Sequence, residues 1–400
     1  MALTALLLVA AGAATPSVIA GKPSLCVLGC TSGSEEGSAA VAAPATTASD
    51  RPGPCPRRVV PRQPPPPPGS GPLVLGQHAS LRFLHGRALC LQAARALDSG
   101  AHYLRENINW AGIERTRGRF DWRRPDELFA VAARYGITVL PLLVDAPRWS
   151  GGSNRSLPTD RAAFARFLAR VSERYGPGGA FWRAHRALPQ RPARYVELFN
   201  EPYLPSYSGG HPDPGAYARL VAAAAPAARA ANRHVRFLIE VDTSYRAEGG
   251  EQQDWLGGMY AAVPDLGRYF DAVAVHPYAN GSPLTYTPGS GDRWQSRRIE
   301  RIHDALVARG AGGKHLWATE VGWATCGSGD DCVSEATQAA YLRDLFALRR
   351  VVWRPYVDAV FVYSLQDYAS SDGSGSFGIL RRNGSRKPAW YAMRAAAPRR

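Results

Sequence analysis

Seven apolar runs of strand length, separated by stretches with a helical period, constrain the fold of this chain more than any other feature. The runs are "HYLRENI" from 102, "ITVLPLLV" from 137, "YVELFN" from 195, "VRFLIEV" from 235, "FDAVAVHP" from 270, "HLWATEV" from 315 and "AVFVYSL" from 359. An eighth strand, first in order, is placed near "LRFLHG" at 81. Between them lie amphipathic segments such as "TDRAAFARFLARVSERYG", where Phe164, Phe167, Leu168 and Val171 share one helical face and Thr159 or Asp160 supplies the cap. Gly100, Gly136, Gly176 and Gly310 stand where helices close, a position that favours left-handed backbone. Near-continuous apolar strands suit a parallel sheet covered by helices, and eight of them over this length suit a (β/α)8 TIM barrel. A doubly wound open sheet is the competing arrangement.

The barrel does not need the whole chain. The opening "MALTALLLVAAGAATPSVIAG" carries an apolar stretch of signal-peptide length followed by small residues, though no Lys or Arg precedes it. Residues 1–30 are therefore assigned to export, with a secreted or cell-surface location expected. The segment is too short and interrupted for a membrane span. "VLGC", ending at Cys30, offers lipoprotein anchoring as an alternative. Residues 31–72, rich in Ser, Ala and Pro and ending in "PRQPPPPPGSGP", cannot bury enough apolar surface to order and read as a disordered linker. The folded domain is set at 73–400.

Charge excludes less than its size suggests. The formal net charge is +15, but only residues 22, 314 and 387 are Lys among 48 basic side chains, and no dense basic run is interleaved with aromatics. This reads as a solvated surface rather than a nucleic-acid footprint. Of six cysteines, Cys326 and Cys332 in "CGSGDDC" close a short loop that an oxidising compartment would bridge. No further Cys or His stands nearby at zinc-ligand spacing. Cys90 reads as a small buried hydrophobe, and Cys26, Cys30 and Cys55 receive no assignment.

Barrel active sites collect where strands finish, so the strand ends can be read for function. They carry Arg105, Asn107 and Trp110; Asp145 and Trp149; Asn200 and Glu201; His276 and Tyr278; Glu320 and Trp323; Tyr363, Gln366 and Asp367. Lone glutamates, hydrogen-bonding groups and a rim of aromatics make a poor core and a good sugar site. Glu201 and Glu320 end two apolar strands. Glycoside hydrolysis needs two such carboxyl groups, one to protonate the departing oxygen and one to attack or stabilise the anomeric carbon, about 5 Å apart in retaining enzymes.

"LFNEP" resembles the strand-four signature of the retaining barrel glycosidases of clan A, and "WATEVGW" resembles their strand-seven nucleophile region. "NWAGIERTRGRFDW", "VAVHPY" and "SFGILRRNGSRKPAWYAM" are similar to stretches of family 39-like and family 5-like members. The resemblance spans roughly 81 to 393. It implies that Glu201 is the acid/base and Glu320 the nucleophile, with Asn200 on the neighbouring sugar hydroxyl. It also implies that Arg105 lies beside the nucleophile, where a guanidinium favours an ionised carboxylate, with Tyr278 bonded to the same group. His276 would line the site or be a satisfied buried histidine. Trp149, Trp323 and Tyr363 are candidates for stacking on sugar faces, while Trp110 suits the core. One departure stands at strand eight, where many clan members carry a Trp and this chain reads "FVYSLQDY". Tyr363 or Gln366 would stand in, and Asp367 would bind a hydroxyl.

"GSGSFG" at 373–378 opens no helix and lies at the wrong end of the chain for dinucleotide binding. Phosphate-loop, zinc-protease and serine-esterase motifs are absent, so no cofactor and no metal are expected. The expected partner is a carbohydrate, with no nucleic acid, and the chain is expected to act as a monomer. A catalytically silent glycan-binding barrel and a transglycosylase on the same residues are the alternatives.

Overall fold

The computed structural model describes residues 73–242, 245–246, 252–279, 281–284, 298–326, 332–370 and 374–397, together with Cys55. The expected export segment, Cys26, Cys30 and all of the expected linker except Cys55 lie outside the described residues. Eight parallel strands close into a barrel: β1 (Val74–His78), β2 (Tyr103–Asn109), β3 (Thr138–Val144), β4 (Tyr195–Leu198), β5 (Arg236–Glu240), β6 (Ala272–Val275), β7 (His315–Val321) and β8 (Val357–Tyr363). β1 pairs with β8 on one side and β2 on the other, so the barrel itself has no open edge. The principal helices are α1 (Gly86–Asp98), α2 (Arg123–Arg134), α3 (Arg161–Tyr175), α4 (Pro214–Ala231), α5 (Trp255–Ala262), α6 (Arg298–Ala308), α7 (Glu335–Val351) and α8 (Pro388–Ala396). None of the described helices is long and apolar enough to cross a membrane.

Seven strands fall where the apolar runs place them, because a strand buried on both faces has no polar position to blur its limits. The first does not. "LRF" at 81–83 is a short 3-10 helix, and β1 is the preceding "VLGQH". Asp160, not Thr159, caps α3 by accepting from the Ala163 N–H. Gly100, Gly136 and Gly310 adopt positive φ, but Gly176 does not; a Cβ there would meet the Ser172 carbonyl oxygen at 2.5 Å.

Cys90 is buried but is not a free thiol. It forms a disulfide with Cys55, which ties residue 55 to α1 across 35 positions of sequence. A tail cysteine carries no local pattern that would announce its partner. Cys326 and Cys332 form a second disulfide.

Side chains pointing into the barrel alternate along each strand and build layers. The lower layer is apolar and includes Tyr103, Leu140, Leu238, Trp317 and Phe361, with Tyr195 against it. Gly76 in β1 leaves room for the Phe361 ring, which a Cβ would meet at 2.3 Å. Two residues further along, the same strands carry Arg105, Glu197, Glu240 and Thr319, all fully buried. The apolar floor thus supports a charged layer just below the barrel mouth.

Candidate active site

Neighbouring residues on a strand normally face opposite sides, yet Asn200 and Glu201 both reach the mouth. Phe199 and Glu201 have φ of 61° and 42°, left-handed values that break the alternation after β4. Such values cost on the order of 1–3 kcal/mol each in a non-glycine residue and cluster at functional sites. Phe199 packs against Phe164, ring centroids 5.1 Å apart, while Asn200 reaches Arg105 and Glu201 reaches His276. At β7 the pairing with β8 shifts register between Ala318 and Val321, one extra residue that brings Glu320 inward beside Thr319.

The two glutamates converge on His276. Its Nδ1 lies 2.8 Å from Glu201 Oε1 and 3.8 Å from Glu320 Oε2, so those two oxygens are separated by at most the sum of these lengths, about 6.6 Å. Glu320 accepts from Arg105 Nη1 through one oxygen and from the Tyr278 hydroxyl, at 2.8 Å, through the other. Asn200 joins the two halves: Arg105 Nη2 donates to its Oδ1 at 2.9 Å, and its Nδ2 lies 3.4 Å from Glu201 Oε2.

Beneath them the charges are matched. Arg105 forks onto Glu197 through Nε at 2.7 Å and Nη2 at 3.2 Å, and Nη2 reaches Glu240 at 3.3 Å. Burial alone would weaken the guanidinium's hold on its proton, but the charges of Glu197 and Glu320 reverse this and keep it firmly cationic. His276 follows the same pattern: burial opposes its charge, while Glu240, Glu320 and Glu201 lift it well above the ordinary range. Its Nε2 lies 3.1 Å from Thr319 Oγ1, which donates onward to Glu197 at 2.9 Å. Glu197 is held below its usual range because Arg105's charge and hydrogen bonds outweigh the burial that would raise it. For Glu240 burial wins, with Glu197's charge adding to it, and the carboxyl is pushed up to about 8.

Glu197, Glu240 and His276 bring ligand atoms within 4.8 Å of one another, the one such group among the described residues. The Arg105 guanidinium already bonds to both of these carboxylates, so the cation this cluster balances is the protein's own.

A cleft of about 780 Å³ opens above, with Asn200, Glu320, His78, Tyr207 and Tyr363 on its wall. Glu201, 6% exposed, is not itself on the wall; its Oε2 lies 3.4 Å from Nδ2 of the wall residue Asn200. Tyr363 stacks on His78 with centroids 5.1 Å apart and stands at the strand-eight position noted above.

Arg105 lies beside Glu320, where the resemblance puts it, and His276 is a hydrogen-bonded buried histidine; both touch the carboxylates from below. Several other expected substrate contacts are placed otherwise. Trp323 is 1% exposed, its indole N–H donating to the Ser282 carbonyl, and offers no ring face to the cleft. Trp149 donates to the Glu114 carbonyl and packs edge-on against Trp110, away from the cleft wall. Asp367 is on the wall, but its carboxylate is engaged by Lys387 at 2.8 Å and by the Gly378 N–H at 2.8 Å. Gln366 is likewise held by Gln92, Arg95 and the Arg382 carbonyl. Glu197, Glu240, Thr319 and Tyr207 were not singled out from sequence. The signal for the two acids was a charged residue inside an apolar strand, which demands a buried partner.

The fold is shared with barrel glycosidases. A family 39 glycoside hydrolase from Bacteroides cellulosilyticus superposes with a TM-score of 0.57 at 20% identity, over 82% of this chain and 64% of that one. A monomeric beta-xylosidase from Caulobacter crescentus gives 0.58 at 20% identity, over 82% and 69%. An exo-beta-1,4-mannosidase from an Opitutaceae bacterium gives 0.56 at 16% identity, over 81% and 59%. This chain therefore spans about two thirds or less of the length of these enzymes. No family model and no curated protein matches the sequence. At these identities the likeness is one of fold: the chain folds as the TIM barrels of these glycosidases do.

Proposed function

We propose that this chain is a glycoside hydrolase cleaving O-glycosidic bonds with retention, Glu320 acting as nucleophile and Glu201 as acid and then base. The observation that carries the reading is the convergence of these two carboxylates on one histidine, with an oxygen-to-oxygen separation bounded at about 6.6 Å. That bound accommodates the roughly 5 Å of a retaining pair. The fold shared with glycosidases supports the same class.

The role of each glutamate follows from its surroundings. Glu320 has a donor on each oxygen, Arg105 and Tyr278, which aims a carboxylate lone pair at a fixed point. In the first step a Glu320 oxygen bonds to the anomeric carbon as its bond to the leaving oxygen breaks, and Glu201 passes a proton to that oxygen. In the second, water attacks the same carbon, gives a proton to Glu201 and releases Glu320. Asn200, bridging the two, is placed to hold the sugar between them. Two disulfides suit an oxidising compartment, and we include export in the reading.

The test is turnover on a panel of unactivated oligosaccharides, whose leaving oxygen needs the proton from Glu201, by the full chain and by Glu201→Gln and Glu320→Gln. Each variant is expected to lose at least a thousandfold in kcat/KM while keeping its melting temperature within a few degrees. Near-normal turnover by either variant ends the proposal. Sugar binding without product from the unaltered chain would favour a silent lectin-like barrel.

A further inference from the structure

The cleft above Glu320 does not end at the first sugar's width. It shares Arg82, Phe83, Asn107, Asp145 and Asn154 with a second cavity of about 820 Å³, which runs outward over the N-terminal end of α2. The shared wall is a ledge. Phe83 on it is 58% exposed, with the Arg82 guanidinium 4.5 Å above its ring. An exposed aromatic ring with hydrogen-bonding side chains around it is a common construction for holding a sugar, the flat face taking C–H groups and the polar groups taking hydroxyls.

The polar groups on this ledge have capacity to spare. Arg82 Nη1 is buried without a hydrogen-bond partner. Asp145 sits at the end of β3 with φ of 60°, and Ser80, beside the ledge, has φ of 52°. Two non-glycine residues in left-handed backbone on one wall, neither in a helix or strand interior, match the strain found at ligand-holding sites.

We propose that this ledge is a further sugar-binding subsite, so that the chain acts on a glycan of several residues and recognises at least one sugar beyond the bond it cleaves. The inference rests on the reading of Glu201 and Glu320 as the reacting pair. It predicts that affinity and rate climb with chain length.

Two arms test it. Binding of the Glu320→Gln variant, which holds substrate without turning it over, is measured on an array of xylo-, manno-, galacto- and cello-oligosaccharides from one to six residues. On the series that binds, the expected gain from one residue to three or more is at least tenfold, and Phe83→Ala placed in the same variant removes most of it. Equal response at every length, including none at any length, overturns the inference. In the second arm, kcat/KM of the unaltered chain and of Phe83→Ala is compared between an aryl monoglycoside and the longest oligosaccharide of the same sugar. Phe83→Ala is expected to lower the long-substrate value about tenfold more than the short one, and an equal loss on both overturns the subsite. Length-dependent binding with no hydrolysis by the unaltered chain retains the ledge and removes the proposed reaction.

Discussion

Replacing Arg105 with methionine takes one positive charge out of a layer where it meets Glu197, Glu320 and Glu240 with no solvent exposure of its own. Methionine fills similar volume, so the perturbation is electrostatic rather than a cavity. Removing one partner of a buried ion cluster costs about 3–5 kcal/mol, because the remaining charges stay desolvated and unpaired. Spread over about 325 folded residues at roughly 2.1 cal/mol/K each, that cost lowers the melting temperature by about 4–7 °C. The ten tryptophans give a fluorescence signal for urea unfolding of the full chain and the variant at pH 7 and at pH 4. The loss is expected to shrink at pH 4, where protonation of the partner carboxylates removes the charges left unpaired. Arg105→Lys should fall between, since one ammonium cannot serve Glu197 on one side and Glu320 and Asn200 on the other. A change below about 1 kcal/mol for Arg105→Met at pH 7 refutes the view that this guanidinium holds the layer together.

Glu240→Gln tests the same layer by pH. The folded chain keeps this proton up to about pH 8, whereas an unfolded Glu releases it near 4.5, so stability from this group falls as pH rises across that window. The slope is at most about 1.4 kcal/mol per pH unit, and the variant should flatten it in melts taken from pH 5 to 8. His276 acts in the same sense at higher pH, because its raised proton affinity stabilises the fold below the ordinary histidine range and is lost as pH climbs through the folded value. Gly76→Ala should destabilise by about 1–3 kcal/mol by driving a methyl into the buried Phe361 ring, measured by the same urea titration. Asp367→Ala should lower the melting temperature by releasing Lys387 while leaving KM within about threefold, and a large rise in KM would return Asp367 to the substrate-binding set.

The barrel was legible because parallel strands covered on both faces must be apolar, and seven of them stood out as runs with helical stretches between. β1 was the exception. "VLGQH" has only three apolar or small residues before Gln77, and the neighbouring "LRFLHG" looked more strand-like although its Leu81 opens a short 3-10 helix. Glu201 and Glu320 were readable because each closes an apolar strand, where an acid has no core partner in sequence. Glu197 and Glu240 were hidden inside such strands, where period-two alternation sends them to the barrel axis beneath the mouth. The aromatics misled for a related reason. A ring at a strand end can tip outward to a ligand or inward to neighbours, and Trp149 and Trp323 turn to Trp110 and Tyr341. Nothing local distinguishes these choices.

The most direct measurement is mass spectrometry of the chain after exposure to 2-deoxy-2-fluoro aryl glycosides, which form the glycosyl-enzyme quickly and release it slowly. The predicted result is a single added fluorosugar on the peptide containing Glu320. An adduct on another residue, or rapid hydrolysis of the parent aryl glycoside with no adduct on Glu320, would contradict the account.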